Sequence, residues 1–137
     1  VTHELQYRVF AQPLAVCRLA AAAPIPSWAT EGEFFCVTRT RDEVSVVCSE
    51  EVCPDSEAER TGNGLRVESG WVAVKLEGPF PFAMTGVLAS VLTPLAKAKI
   101  PIFAISTFDT DYVLLKATDL EGAQQALREA GHHEISG

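Results

Sequence analysis

Several absences narrow what this 137-residue chain can do. It has no excess of basic residues: 11 Lys and Arg stand against 18 Asp and Glu, for a net charge of −7 and a pI near 4.9. Nothing basic is available to neutralise phosphates, so nucleic acid is not an expected partner. No run approaches the roughly 18 apolar residues of a membrane span. No charged segment followed by an apolar run opens the chain, so neither membrane nor export is expected and a cytoplasmic location is the default.

The catalytic and metal patterns are missing as well. His3, His132 and His133 cluster near the two ends, and no serine stands in a G-x-S-x-G elbow, so acyl-transfer machinery is not expected. The single G-x-G, Gly62–Gly64, lies in a polar stretch without the strand and helix of a nucleotide fold. No pair of the four cysteines has C-x-x-C spacing, and no third ligand accompanies His132-His133, so neither metal nor cofactor is expected. Cys17, Cys36 and Cys48 sit in apolar strand-like runs, where a reduced thiol behaves as a small hydrophobe; disulfides are the second reading.

What the chain does contain is an echo. Sliding the sequence back by 68 positions lays Gly32–Cys48 (GEFFCVTRTRDEVSVVC) under the PIFAISTFDTDYVLLK run of residues 101–116. Phe35 then falls under Phe103, Thr38 under Ser106 and Asp42 under Thr110. Both copies are an apolar strand, a polar turn opening with Ser or Thr, and a second apolar strand. Two related modules are expected, 1–62 and 63–137, with a seam between them where ligands often bind.

In the first half, strands are expected at Leu5–Phe10 and Leu14–Ala20, broken at Gln12-Pro13. The proline-rich AAAPIPSWAT leaves room for at most one helical turn. A hairpin follows, Phe34–Thr40 with Glu43–Cys48, and residues 49–70 form a polar link with a short helical turn near Ser56–Arg60. In the second half, Trp71–Glu77 is a strand and residues 78–86 (GPFPFAMTG) a stiff loop. Val87, Leu88, Val91, Leu92 and Leu95 mark an amphipathic helix spanning Met84–Lys99, with Pro94 removing one helical hydrogen bond. Strands Ile102–Thr107 and Asp111–Lys116 follow. A last helix opens with the capping box Thr118–Glu121 and closes at Gly131.

This β-α-β-β-α order, together with Phe35–Val47 (FCVTRTRDEVSVV), Glu77–Pro79 (EGP), Thr85–Leu88 (TGVL), Pro94 and Ser106–Leu114 (STFDTDYVL), resembles the ACT domain, a regulatory module that binds amino acids. More closely, the chain is similar to small two-module ACT proteins related to cytosolic arginine sensors of the CASTOR type. The resemblance implies an α+β fold: tandem ferredoxin-like βαββα modules, antiparallel sheets with helices on one face, and reduced helices in the first module. It implies a non-enzymatic regulatory role, with an amino-acid effector at the seam and pairing of modules, including a homodimer. Carried over, it points to Gly78, Thr85, Gly86, Ser106, Thr107, Asp109 and Asp111 as ligand-binding residues. Gly78-Pro79 can equally serve only to turn the chain, Thr85 to cap the helix, and Asp109 and Asp111 to bond their own hairpin backbone. On the 68-residue offset, the first-module counterparts of Asp109, Thr110 and Asp111 are Arg41, Asp42 and Glu43, so a single asymmetric site is expected. The alternative function is a structural or interaction module with the same fold and no ligand.

Overall fold

The computed structural model describes residues 3–54 and 63–136. The helical turn expected near residues 56–60 lies outside them. The chain divides into two compact units: unit 1 comprises Val1–Ala11 and Val72–Gly137, and unit 2 comprises Gln12–Trp71. This division falls elsewhere than at residues 62 and 63. Strand β1 (Gln6–Leu19) belongs by its first half to unit 1, and β4 (Arg66–Leu76) by its second half. A single β1 replaces the two strands expected around Pro13. Pairing of β1 with β3 starts only at Leu14↔Ser49, so the missing amide of Pro13 interrupts no bond of that ladder. Likewise β4 begins at Arg66, inside what composition suggested was a link.

Unit 1 carries the β-α-β-β-α order: the second half of β4, α1 (Val87–Lys97), β5 (Phe103–Ser106), β6 (Asp111–Lys116) and α2 (Leu120–Glu129). Its strands lie in the order β7-β1-β4-β6-β5, where β7 (His133–Glu134) is a two-residue strand parallel to β1. Alternate residues of the strands, Leu5 and Tyr7, Val72, Val74 and Leu76, and Val113 and Leu115, point to one face. There they meet Val87, Val91 and Leu95 of α1 and Ala123 and Leu127 of α2 in a single core. Burial of this kind, at about 25 cal/mol per Å² of apolar surface, is what holds both helices on the sheet.

The helix ends differ from expectation in instructive ways. Helix α1 starts at Val87, because Gly86 adopts the left-handed conformation (φ 79°) and Met84 closes a turn onto the Pro81 carbonyl at 3.0 Å. It ends with Lys99 left-handed (φ 61°), the Lys99 amide on Ala96 and the Ile100 amide on Leu95, both at 3.0 Å. Gly131 ends α2 in the same way, with His132 bonded to Leu127 and Gly131 to Arg128. The capping box does not form. A 3₁₀ turn at Ala117–Asp119 feeds the helix directly, and Asp119 rather than Thr118 takes the cap position, with no side-chain cap bond.

Pro94 does sit inside α1 and leaves the Ser90 carbonyl without its helical donor. His132, only 3% exposed, supplies the replacement: its Nε2 donates to the Ser90 carbonyl at 2.8 Å. Its Nδ1 accepts the Leu5 amide at 3.0 Å, which fixes the tautomer. A histidine near the end of the chain is thus a structural link between α1, the end of α2 and the first strand.

Unit 2 has strand order β2-β3-β1-β4, with β2 at Cys36–Arg39 and β3 at Val44–Ser49. Its described residues contain one 3₁₀ turn, Ser27–Thr30, and no α-helix, as a reduced first module implies. Its core is made of smaller side chains: Ala15, Cys17, Leu19, Ala23, Ala29, Val44, Val46, Cys48 and Leu65. No described helix is long and apolar enough to cross a membrane.

Candidate functional site

Among the described residues each unit contains one tight hairpin, and the two are built alike. In unit 2 the pairs run from Cys36↔Val47 to Arg39↔Val44; in unit 1 they run from Phe103↔Leu114 to Ser106↔Asp111. Thr40 and Thr107 open the two four-residue turns. The Thr40 amide donates to the Glu43 carbonyl at 2.9 Å and the Thr107 amide to the Thr110 carbonyl at 2.8 Å. Each threonine hydroxyl donates to that same carbonyl and accepts the amide of that same residue. The true repeat is therefore 67 residues, Thr40 to Thr107. The 68-residue offset is corrected by one: the counterparts of Asp109, Thr110 and Asp111 are Asp42, Glu43 and Val44. Apolar residues such as Val46 and Val47 pair nearly as well at either offset, so the apolar pattern alone could not choose between them.

What surrounds the two turns differs. In unit 1 the Phe80 amide donates to the Asp109 carbonyl at 2.8 Å, which brings the 78–86 loop onto the turn. A Cβ on Gly78 would lie 2.8 Å from that same carbonyl, so the glycine is required by the close approach. The Gly78–Pro79 peptide is cis. A cavity of about 220 Å³ opens between the loop and the turn, lined by Phe80–Phe82, Met84, Val87 and residues 106–111. A second, of about 240 Å³, is lined by Lys75, Glu77, Gly78, Pro79, Asp109 and Thr110. In unit 2 the carbonyl equivalent to that of Asp109, on Asp42, is instead taken by the Arg18 guanidinium at 3.2 Å. Arg39, which occupies the place of Ser106, donates to the carbonyls of Ala21 and Ala23. A long cation holds the loop down where unit 1 has a short hydroxyl.

Five of the seven anticipated residues thus meet. Ser106, Thr107, Asp109 and Asp111 line the first cavity, and Gly78 and Asp109 the second. Ser106 donates to Asp111 Oδ1, and Thr107 is committed to its turn. Asp109 contributes its carbonyl to the loop and projects an exposed side chain. Thr85 and Gly86 line neither cavity. The Thr85 carbonyl accepts from His3 Nε2 at 2.8 Å, and Gly86 is the N-terminal cap of α1, where no side chain bonds the first amides. That leaves the positive end of the helix dipole beside Val87, at the edge of the first cavity.

Four further residues were not anticipated. Thr110 is buried and its hydroxyl donates to the Leu76 carbonyl at 2.6 Å, tying the turn to β4. Phe82 and Phe108, 77% and 78% exposed, meet edge to face at 4.8 Å over the first cavity. Glu77 pairs through Oε1 with Arg8 Nε at 2.9 Å, while its buried Oε2 has no partner. A lone acidic residue at a strand end carries no sequence signal of that kind.

A larger concavity of unit 1, about 570 Å³, lies elsewhere, between α1, α2 and residues His3 and Glu4. Its buried polar groups are already engaged: both His132 nitrogens are bonded, and Ser90 Oγ donates to the Gly86 carbonyl and accepts the His3 amide. Size alone therefore does not decide between the clefts; beside the 78–86 and 106–111 cleft lies the buried, unpartnered Oε2 of Glu77.

The ACT domain family model matches residues 66–129, and a second model, described as an N-terminal domain, matches residues 13–56. The chain is 34% identical over 98 residues to human CASTOR3P; this spans 66% of the chain and 59% of that relative's length. A crystal structure of a protein from Agrobacterium tumefaciens is 36% identical and superposes with a TM-score of 0.87, covering 99% of this chain and 96% of that one. The regulatory subunit of aspartate kinase from Thermus thermophilus shares the fold at a TM-score of 0.65 and 13% identity, over 90% of this chain and 96% of that one. From the family match over the β-α-β-β-α segment, residues 66–129 form an ACT domain, and the chain is related in sequence to CASTOR3P.

Proposed function

We propose that the chain is a non-catalytic regulatory module that binds an amino acid in unit 1, between the 78–86 loop and the 106–111 turn. One observation carries this reading. The two units share the same threonine turn, yet in unit 2 Arg39 and Arg18 occupy the carbonyls around it, while in unit 1 Ser106 leaves a cleft. The chemistry of that cleft suits a zwitterion. The α-carboxylate meets the uncapped start of α1, where helix amides and dipole favour an anion. The ammonium meets Asp109, Asp111 and the unpartnered Oε2 of Glu77. Regulatory roles among the relatives, such as the aspartate kinase regulatory subunit, point the same way. Pairing of two copies is part of the same proposal.

The test is a thermal-shift screen against the twenty amino acids at millimolar concentration, in the wild type and in Ser106→Arg. Ligand that binds only the folded state raises stability by RT ln(1 + [L]/Kd), about 2.7 kcal/mol at a hundredfold excess over Kd. A selective rise with one amino acid, lost in Ser106→Arg although its circular dichroism is unchanged, is the expected result. A flat screen overturns the reading and favours the module without a ligand, which would use the exposed Phe82–Phe108 pair for a protein partner.

A further inference from the structure

Three of the four cysteines converge in unit 2. The β1–β3 register sets Ala15 against Cys48 and Cys17 against Val46, so Cys17 and Cys48 are diagonal neighbours on the inward face. Beyond β3 the chain doubles back, with the Val52 amide on the Ser49 carbonyl at 3.2 Å and the Cys53 amide on Glu50 at 3.3 Å. This returns Cys53 over the same face, where its Sγ lies 3.5 Å from that of Cys17. All three sulfurs fall within 4.8 Å of one another. Cys36 does not join them. It pairs with Val47, whose side chain points to the face opposite Val46 and Cys48.

We propose that Cys17, Cys48 and Cys53 form a three-thiolate site for a soft d¹⁰ metal ion, of which Cu(I) is the best fit. A metal–sulfur distance of about 2.3 Å places three trigonal ligands about 4 Å apart, a spacing the thiols reach with shifts of a few tenths of an ångström. A disulfide would use two of the three sulfurs and leave the third unexplained. The surrounding side chains, Ala15, Leu19, Val44 and Val46, offer no hard oxygen donor, which selects for a thiophilic ion. Among the described residues no fourth His, Cys, Asp or Glu joins the group, which suits three-coordinate Cu(I) better than the four-coordinate sites typical of Zn(II). Cys53, only partly buried, is the entry point, while Cys17 and Cys48 are buried.

Binding exchanges thiol protons for the metal, so affinity rises with pH. The thiols do not ionise alike. A hydrogen bond to Cys48, followed by burial, pushes the Cys17 thiol up, while the same bond pulls Cys48 down.

The experiment is an anaerobic titration of the fully reduced protein with Cu(I) against a chromogenic Cu(I) chelator. One equivalent bound is expected, with a near-ultraviolet sulfur-to-copper absorbance and a raised Tm. Cys53→Ala should weaken binding by more than about a hundredfold, since loss of even an outer partner of a metal site costs about ten- to a hundredfold. Cys36→Ala should bind like the wild type. Cys48→Ala lies in the core, so its fold is checked by circular dichroism, and the partly buried Cys53 carries the decision. Unchanged uptake in Cys53→Ala, loss in Cys36→Ala, or displacement of Cu(I) by equimolar Zn(II) would each overturn the site.

Discussion

Unit 1 and unit 2 use one hairpin for opposite ends. Thr40 and Thr107 make the same bonds, and Asp42 and Asp109 both present a carbonyl outward from the turn. In unit 2 two arginines satisfy the neighbouring carbonyls, and the core beneath is made of Ala, Val, Cys and Leu, with no α-helix among the described residues. In unit 1 a backbone loop satisfies the carbonyl, two helices cover the sheet, and a cleft remains beside the turn. The difference teaches that the turn itself is scaffold. One position ahead of the threonine stands Arg39, bonded across to two carbonyls, in one copy, and Ser106, beside a cleft, in the other.

The largest expected effect strikes the helical side of this comparison. His132→Ala removes one ring that serves two buried backbone groups, the Ser90 carbonyl and the Leu5 amide. Leaving both unsatisfied should cost about 2–4 kcal/mol, seen as a lower urea midpoint with unchanged slope. The cause can be isolated. In a Pro94→Ala background the residue-94 amide can bond Ser90 directly, so His132→Ala should cost at least about 1 kcal/mol less there. Purely additive losses would refute the coupling.

Next in size is Gly78→Ala. The new Cβ would press on the Asp109 carbonyl, which is backbone and cannot swing aside, at a cost of about 1–3 kcal/mol. The loop should lift from the turn, so any ligand affinity falls along with stability. Gly70→Ala is the control for glycine substitution within β4. Open space surrounds Gly70, and its cost comes only from a positive φ of 84°. If the two variants were equally destabilised with ligand affinity intact in both, the loop–turn contact would not be what shapes the cleft.

Much of this was legible in the sequence because periodicity carries it. The apolar spacing of Val87, Leu88, Val91 and Leu95 announced α1, and the repeated strand–turn–strand pattern announced β6. The meeting of the 78–86 loop with the 106–111 turn followed from the family resemblance rather than from any spacing. Other features were not legible, for physical reasons. The one-residue slip in the repeat escaped notice because both registers align apolar with apolar; only the threonine turns separate them. The His132 link depends on a carbonyl orphaned 42 residues away. The thiol cluster joins positions 17, 48 and 53 through strand register and a double turn, which no linear motif encodes.

A smaller effect tests the other side of the comparison. Arg39→Ser gives unit 2 the residue that unit 1 has at this place and releases the carbonyls of Ala21 and Ala23. The bond to Ala21 is exposed and the bond to Ala23 part-buried, so the expected loss is about 1 kcal/mol, at the middle of the range for a single net hydrogen bond. Hydrogen exchange should quicken in the residues 20–26 segment and stay unchanged in the 78–86 loop. Equal quickening in both loops would mean that Arg39 does not act locally.

The smallest expected change is a gain, and it belongs to unit 1 alone. Lys99 ends α1 in the left-handed region at φ 61°, where Gly131 stands at the end of α2 with φ 95°. Both make the same pair of closing bonds, so the geometry is required in each case and only the residue differs. A side chain in this conformation costs roughly 1–2 kcal/mol, part of which is returned because glycine loses more backbone freedom on folding. Lys99→Gly should therefore stabilise by about 0.5–1 kcal/mol, as a higher Tm with unchanged helix content. The same exchange made two residues earlier, Lys97→Gly, falls inside the helix and should instead cost up to about 1 kcal/mol. Opposite signs from two lysines in one helical turn would establish that backbone conformation, rather than lost charge, governs this helix end.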